Sequence, residues 1–222
     1  MTVDYIKVFF IRFLGYFLLL SGLAALVFQF GPVAGAELNY RKDQLFQTRH
    51  ILSGNQSGKP SSFGQVSVSS AENMIKPVST DYGIVIEKIN ANARIIPDID
   101  PGNQAEYMDA LKRGVAEAKG STKPGENGNL YVFSHSTDAP WNVARYNAVF
   151  YLLRELNPGD RVVIFYKGVR YDYVVFDKTV TGPKDVSFLT NRYDKPVLTM
   201  QTCDPPGTTF NRLIVRARLV GS

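Results

Sequence analysis

From Phe13 to Phe30 the chain runs 18 residues without a charged side chain, and the uncharged stretch continues to Ala36. As a helix rising about 1.5 Å per residue, Phe13–Phe30 covers roughly 27 Å, close to the hydrocarbon thickness of a bilayer, about 30 Å. A single N-terminal transmembrane helix is therefore expected. Lys7 and Arg12 precede the run and Glu37 is the first charge after it. That asymmetry predicts a cytoplasmic N-terminus and an exported remainder, with Arg41 and Lys42 on the far side weakening the bias. Ala34-Gly35-Ala36 would also suit signal cleavage, but the apolar run is longer than a signal-peptide core, which favours a retained anchor. Under either alternative the rest of the protein is exported.

Three segments follow from this reading: residues 1–36 as cytoplasmic tip and anchor, 37–80 as stalk and linker, and 81–222 as a folded domain. Glu37–Leu52 has a loosely helical pattern that can extend the anchor, and the Ser- and Gly-rich Ser53–Ser70 reads as a flexible spacer. From about Asp81 the chain breaks into short β-like runs separated by turn signals. Strands are expected at Tyr82–Ile89, Arg94–Pro97, Asn129–His135, Arg161–Tyr166, Val169–Lys178, Pro196–Thr202 and Leu213–Val220. Lys167-Gly168 is a hairpin turn between the fourth and fifth of these. Helices are expected only at Gln104–Leu111 and Ala148–Leu156. Many short strands with few helices predict a mainly β domain, closed or nearly closed as a barrel.

With 45% hydrophobic and 12% aromatic residues the chain can bury a real core. A net charge of +5, with no Lys/Arg block long enough to follow a phosphate backbone, argues against nucleic-acid binding. No Cys/His cluster has metal-ligand spacing, and no glycine-rich phosphate cradle occurs, so neither a metal nor another cofactor is expected.

The chemistry concentrates on three residues. Cys203 is the only cysteine, and an unpaired thiol in an exported chain invites a reactive role. His135 closes a predicted strand, while the other histidine, His50, falls in the stalk and reads as structural or solvated. Arg212 sits in the apolar run Arg212-Leu213-Ile214-Val215, so it is expected to point into a site. A thiolate is the strong nucleophile an amide carbonyl requires. An imidazole can accept its proton and return one to the departing amine. A fixed guanidinium can stabilise the negative charge that develops on the carbonyl oxygen.

These positions also carry a resemblance. Thr199-Met200-Gln201-Thr202-Cys203 resembles the T-L-x-T-C signature of the sortases, the membrane-anchored cysteine transpeptidases of bacterial surfaces, with Met200 in place of Leu. Arg212 matches the arginine of the following strand. Gly114-Val115, Gly120-Ser121, Pro124-Gly125 and Gly128-Asn129 resemble the family's approach to its histidine. Phe150, Leu153, Leu156, Gly159 and Asp160 match an F-x-x-L-x-x-L-x-x-G-D pattern. The similarity covers about Asp81–Val220, with Ser134 where a Gly often precedes the histidine and Glu87 where Pro is common.

The resemblance implies a sortase-like closed β-barrel with Cys203 as nucleophile, His135 as acid/base and Arg212 as oxyanion or substrate stabiliser. It implies an LPxTG-like sorting motif on surface proteins as acyl donor, and a cell-wall precursor or pilin amine as acceptor. Thr199 and Thr202 are tentative substrate contacts, and Lys178–Pro196 an expected substrate-selecting wall. Asp138, Trp141 and Asn142 read as loop residues more than cleft residues. An exported cysteine hydrolase and a catalytically idle surface barrel remain alternatives. An L,D-transpeptidase fits poorly, because Gln201-Thr202 stand where that family has His and Gly before the cysteine.

Overall fold

A computed structural model describes residues 2–46, 51–52, 74–136 and 149–221. The N-terminal helix α1 spans Thr2–Leu45, far longer than the uncharged run alone. At 44 residues it is about 66 Å long, roughly twice the hydrocarbon thickness. Its stretch long and apolar enough to cross a membrane is Tyr5–Phe28, and the side chains there are exposed. The expected stalk is thus helical to Leu45. Its last turns lean on the folded domain, where Glu37 pairs with Arg154 at 3.0 Å and Tyr40 packs on the core.

Two short strands, β1 (Ile51–Leu52) and β2 (Met74–Ile75), pair in parallel. Leu52 and Ile75 pack on Val85, Val163 and Phe165 of the domain. The Leu52 N–H donates to Glu87 Oε1 at 2.9 Å, and Arg161 donates to the same oxygen. A proline at 87 could make neither contact, so this departure from the sortase pattern has a local use: it ties the returning chain to the barrel.

The domain is a closed eight-stranded barrel. Its strands are β3 (Tyr82–Ile86), β4 (Ala91–Ile99), β5 (Val115–Ala118), β6 (Gly128–Phe133), β7 (Arg161–Tyr166), β8 (Val169–Thr181), β9 (Pro196–Asp204) and β10 (Asn211–Leu219). Around the barrel they run β10-β8-β7-β3-β4-β5-β6-β9, and β9 closes on β10. The pairs β4–β5 and β6–β9 are parallel and the others antiparallel. Helix α2 (Gln104–Arg113) makes the β4–β5 crossover. Its first turn is capped by Asn103, whose Oδ1 accepts from the Glu106 N–H, and it ends at Gly114. Glycine is needed there because a Cβ would lie 2.3 Å from the Arg94 carbonyl oxygen. Gly128, which opens β6, has φ +128°, and a Cβ would meet Thr122 at 2.5 Å. Two of the glycines in the resemblance are thereby steric requirements.

Alternation along the strands divides side chains between two sides. Ile84, Ile86, Leu130, Val132, Val162, Ile164, Leu198, Met200, Leu213 and Val215 face inward and form the main core. Met200 is fully buried among them, which explains its exchange for Leu: the two have similar volume. The hairpin at Lys167-Gly168 is as expected, both residues having positive φ as a type I′ turn requires.

Three expectations need correction. Tyr82–Ile89 is not one half-buried strand: Tyr82–Ile86 is buried on both faces and Glu87–Ile89 forms a 3-10 turn. The predicted helix Ala148–Leu156 is not an α-helix in its described part: Val149–Leu152 is a turn and Leu153–Glu155 a single 3-10 turn. Phe150, Leu153 and Leu156 are all fully buried in the main core, a threefold spacing that plugs the barrel without needing a longer helix. Strand β5 escaped the sequence reading because all four of its residues are buried and Glu117 interrupts its apolar pattern.

Candidate active site

Cys203 and Arg212 are direct partners across β9 and β10, so their side chains leave the sheet on the same face. On the other flank, β6 pairs with β9 in parallel, ending at Phe133 opposite Gln201. The Ser134 N–H donates to the Gln201 carbonyl at 3.1 Å and carries the ladder onward. His135 follows Ser134, just past the end of β6 and on the flank of β9 that carries Cys203. Arg212 is in turn paired with Thr181 of β8. Cys203, Arg212 and Thr181 therefore form one row across three neighbouring strands, about 4.8 Å from strand to strand.

The row faces outward, because its sequence neighbours Thr202 and Leu213 are buried on the opposite side. Cys203 is half-buried and carries no disulfide. His135 is 7% exposed. Arg212 is half-buried, and its Nη1 donates to the backbone carbonyls of Asn211 at 3.1 Å and Thr209 at 3.3 Å. Those bonds tether the guanidinium to the β9–β10 loop while its remaining N–H groups stay available. The arrangement places a thiol and a guanidinium side by side, with an imidazole at the end of the neighbouring strand, three kinds of group that acyl transfer can use.

Thr199 and Thr202, expected as tentative substrate contacts, are both buried. Thr202 points inward, 3% exposed, and its hydroxyl donates to the Ser134 carbonyl at 3.0 Å, joining the Cys203 strand to the His135 strand. Thr199 is fully buried and donates to Asn129 Oδ1 at 2.7 Å. Both hydroxyls are engaged within the protein.

Sequence reasoning missed Tyr131 and Gln201, which lie on the same outward face as the row. The Tyr131 hydroxyl donates to Gln201 Oε1. Burial pushes the Tyr131 hydroxyl well above its ordinary pKa; the positive Arg212 pulls it back and the Asp185 carboxylate raises it, so all three share one neighbourhood. Period-two spacing from His135 back through Phe133 and Tyr131 could have found this face. The expected wall between β8 and β9 contains a short helix, α3 (Ser187–Thr190), whose Phe188 and Leu189 pack against a cluster containing Tyr131 and Phe133. Helix α2 flanks the same cluster through Tyr107, Ala110 and Leu111. His50, Asp138, Trp141 and Asn142 lie outside the described residues. Among the described residues no group of three or more His, Cys, Asp or Glu could hold a metal ion.

Residues 84–220 match the family model of the Sortase domain. Sortase D of Bacillus subtilis (strain 168) is 28% identical over 120 residues, 54% of this chain and 52% of that protein. The chain thus spans about half the length of the curated relative it matches. Among solved structures, a Clostridium perfringens Sortase D5 transpeptidase is 28% identical with a TM-score of 0.52, covering 64% of this chain and 79% of that one. A lid mutant of Sortase A from Corynebacterium diphtheriae is 26% identical with a TM-score of 0.52, covering 65% and 72%. Sortase C-1 from Actinomyces oris is 25% identical with a TM-score of 0.54, covering 65% and 76%.

Proposed function

Because the chain belongs to the sortase family, we propose that it is a membrane-anchored cysteine transpeptidase acting on surface proteins that carry an LPxTG-like sorting motif. One observation carries this reading: Cys203 and Arg212 are direct cross-strand partners, and His135 follows the end of β6, the parallel neighbour of the Cys203 strand. The Cys203 thiolate attacks the carbonyl carbon of the scissile amide, and the carbonyl oxygen becomes an oxyanion held by Arg212. Collapse breaks the C–N bond, and the leaving amine takes a proton from the His135 imidazolium, leaving a thioester on Cys203. An acceptor amine, from a cell-wall precursor or a pilin, then attacks the thioester and gives its proton back to His135. The thiolate departs and the new amide bond is complete.

Residues 1–36 serve as tip and membrane anchor, 37–80 as stalk and linker, and 81–222 as the catalytic barrel. Lys7 and Arg12 on the N-terminal side support a single-pass topology with the barrel outside the cytoplasm.

Incubating the full chain in detergent with pentapeptide sorting motifs and an amine tests the proposal by mass spectrometry. A thioester adduct on Cys203 and an amine-coupled product are expected. Adducts that release only the free acid would make the protein a hydrolase, and no adduct with any peptide would make it an idle barrel.

A further inference from the structure

Resting on the transpeptidase reading, we propose that Arg216 is a positioning residue that clamps the β8–β9 wall onto the barrel and thereby sets which sorting peptides bind. Arg216 projects from the same face as Arg212, one outward position further along than Ile214, and pairs in register with Thr199 and Asp177. Its Nε and Nη2 each lie 2.9 Å from Asp177 Oδ2, while Nη1 donates to the Tyr193 hydroxyl at 3.1 Å. The guanidinium also lies over two rings, Phe176 at 5.2 Å and Phe188 at 5.5 Å. Asp177 and Phe176 belong to β8, whereas Tyr193 and Phe188 belong to the wall. One side chain therefore joins β8 to the middle and the C-terminal part of the intervening loop, with an aromatic ring contributed from each side.

A second tie lies deeper. Asn129 is buried, and its Nδ2 donates to the Phe188 carbonyl at 2.9 Å while its Oδ1 accepts from Thr199. The Thr199 hydroxyl thus fixes which way the Asn129 amide points. This is a use for the first threonine of the cysteine-containing run that needs no substrate. Ahead of these ties the wall is short on support: Gly182–Ser187 is exposed throughout, and α3 is a single turn. A wall with few ties opens locally without unfolding the domain, so removing one tie shifts its position more than its foldedness.

Three variants of the full chain in detergent test this: Arg216→Met keeps the aliphatic stem, Arg216→Lys keeps the charge, and Tyr193→Phe removes a single hydroxyl. Trypsin cleavage at the exposed Lys184 and Arg192, followed site by site, reads the wall without reference to activity. Arg216→Met should speed both cleavages about tenfold relative to sites elsewhere, Arg216→Lys and Tyr193→Phe less. With a sorting peptide, KM should rise about tenfold with kcat within about threefold, while a small thiol reagent alkylates Cys203 at the wild-type rate. Unchanged protection at Lys184 and Arg192 in Arg216→Met would overturn the clamp. Loss of kcat and KM together with a lowered melting temperature in all three variants would reduce Arg216 to a fold-stabilising residue. If the wild-type chain transfers no acyl group at all, the transpeptidase reading fails, and the cleavage rates still decide whether Arg216 holds the wall.

Discussion

Glu117 and Cys203 lie on the two strands that flank β6, one facing the barrel interior and the other facing out. Glu117 is 2% exposed, yet it is fully partnered: the Tyr82 hydroxyl donates to Oε2 and Lys123 Nζ to Oε1. Burial and the bond to Glu117 push the Tyr82 hydroxyl far above its ordinary pKa. Nearby Tyr173 is pushed up to about 12 by burial, with the Gly125 N–H pulling the other way. The inner cluster is a set of charges and hydroxyls that satisfy one another, with only Lys123 reaching solvent. The outer row leaves its thiol half-exposed and keeps only part of its guanidinium engaged. The polar groups of the inner cluster are buried or partnered within the protein, whereas Cys203 and Arg212 on the outer face are only partly buried.

The contrast predicts opposite effects of mutation on the two sides. Cys203→Ala should lower acyl transfer by about 10⁴-fold or more while the melting temperature stays at the wild-type value. A variant that keeps transferring acyl groups from a sorting peptide to an amine would remove the nucleophile from Cys203. Arg212→Met should cost about 10²–10³ in kcat, again with the fold intact. An equal loss of thermal stability would mean that Arg212 works chiefly through its ties to Thr209 and Asn211.

On the inner side the order reverses. Tyr82→Phe leaves Glu117 with one donor fewer and should cost about 1–3 kcal/mol in unfolding experiments, with turnover per folded molecule unchanged. The smallest effect concerns alkaline pH. A tyrosine whose folded pKa is raised keeps its proton in the native state after the unfolded chain has lost it, so its contribution is complete below pH 10.0 and is lost as pH rises from 10.0 towards the folded value. For Tyr173 that window closes at about pH 12. Denaturant titrations should show stability falling across it, with a shallower fall in Tyr173→Phe. A flat profile above pH 10.0 would mean that Tyr173 is less sealed than its burial implies.

Most of the strands were legible because strand signals are local: the β-branched and aromatic run Arg161–Tyr166 and the Lys167-Gly168 turn need no knowledge of the rest of the chain. The candidate site side chains stood out for a different reason, since a lone thiol, one histidine outside the stalk and an arginine inside an apolar strand leave few candidates. Glu117 was not legible. It belongs to a short buried strand, and its partner Tyr82 lies 35 residues away in a strand that is not even adjacent in the barrel. The burial of Thr199 and Thr202 was not legible, because their residue type says nothing about which face they occupy. Only the pairing of β6 with β9 turns Thr202 inward to Ser134 and Thr199 against Asn129.

Local chemistry in the chain, then, set the membrane-length helix, the strand signals, and the candidacy of one thiol, one imidazole and one guanidinium. Tertiary structure alone decided that Cys203 and Arg212 are cross-strand partners, that Arg216 reaches both Asp177 and Tyr193, and that Glu117 is buried with its partners. The physical reason is that alternation orients a side chain relative to its own strand. Its neighbours come from the register between strands distant in sequence, which only closure of the barrel around a common core selects.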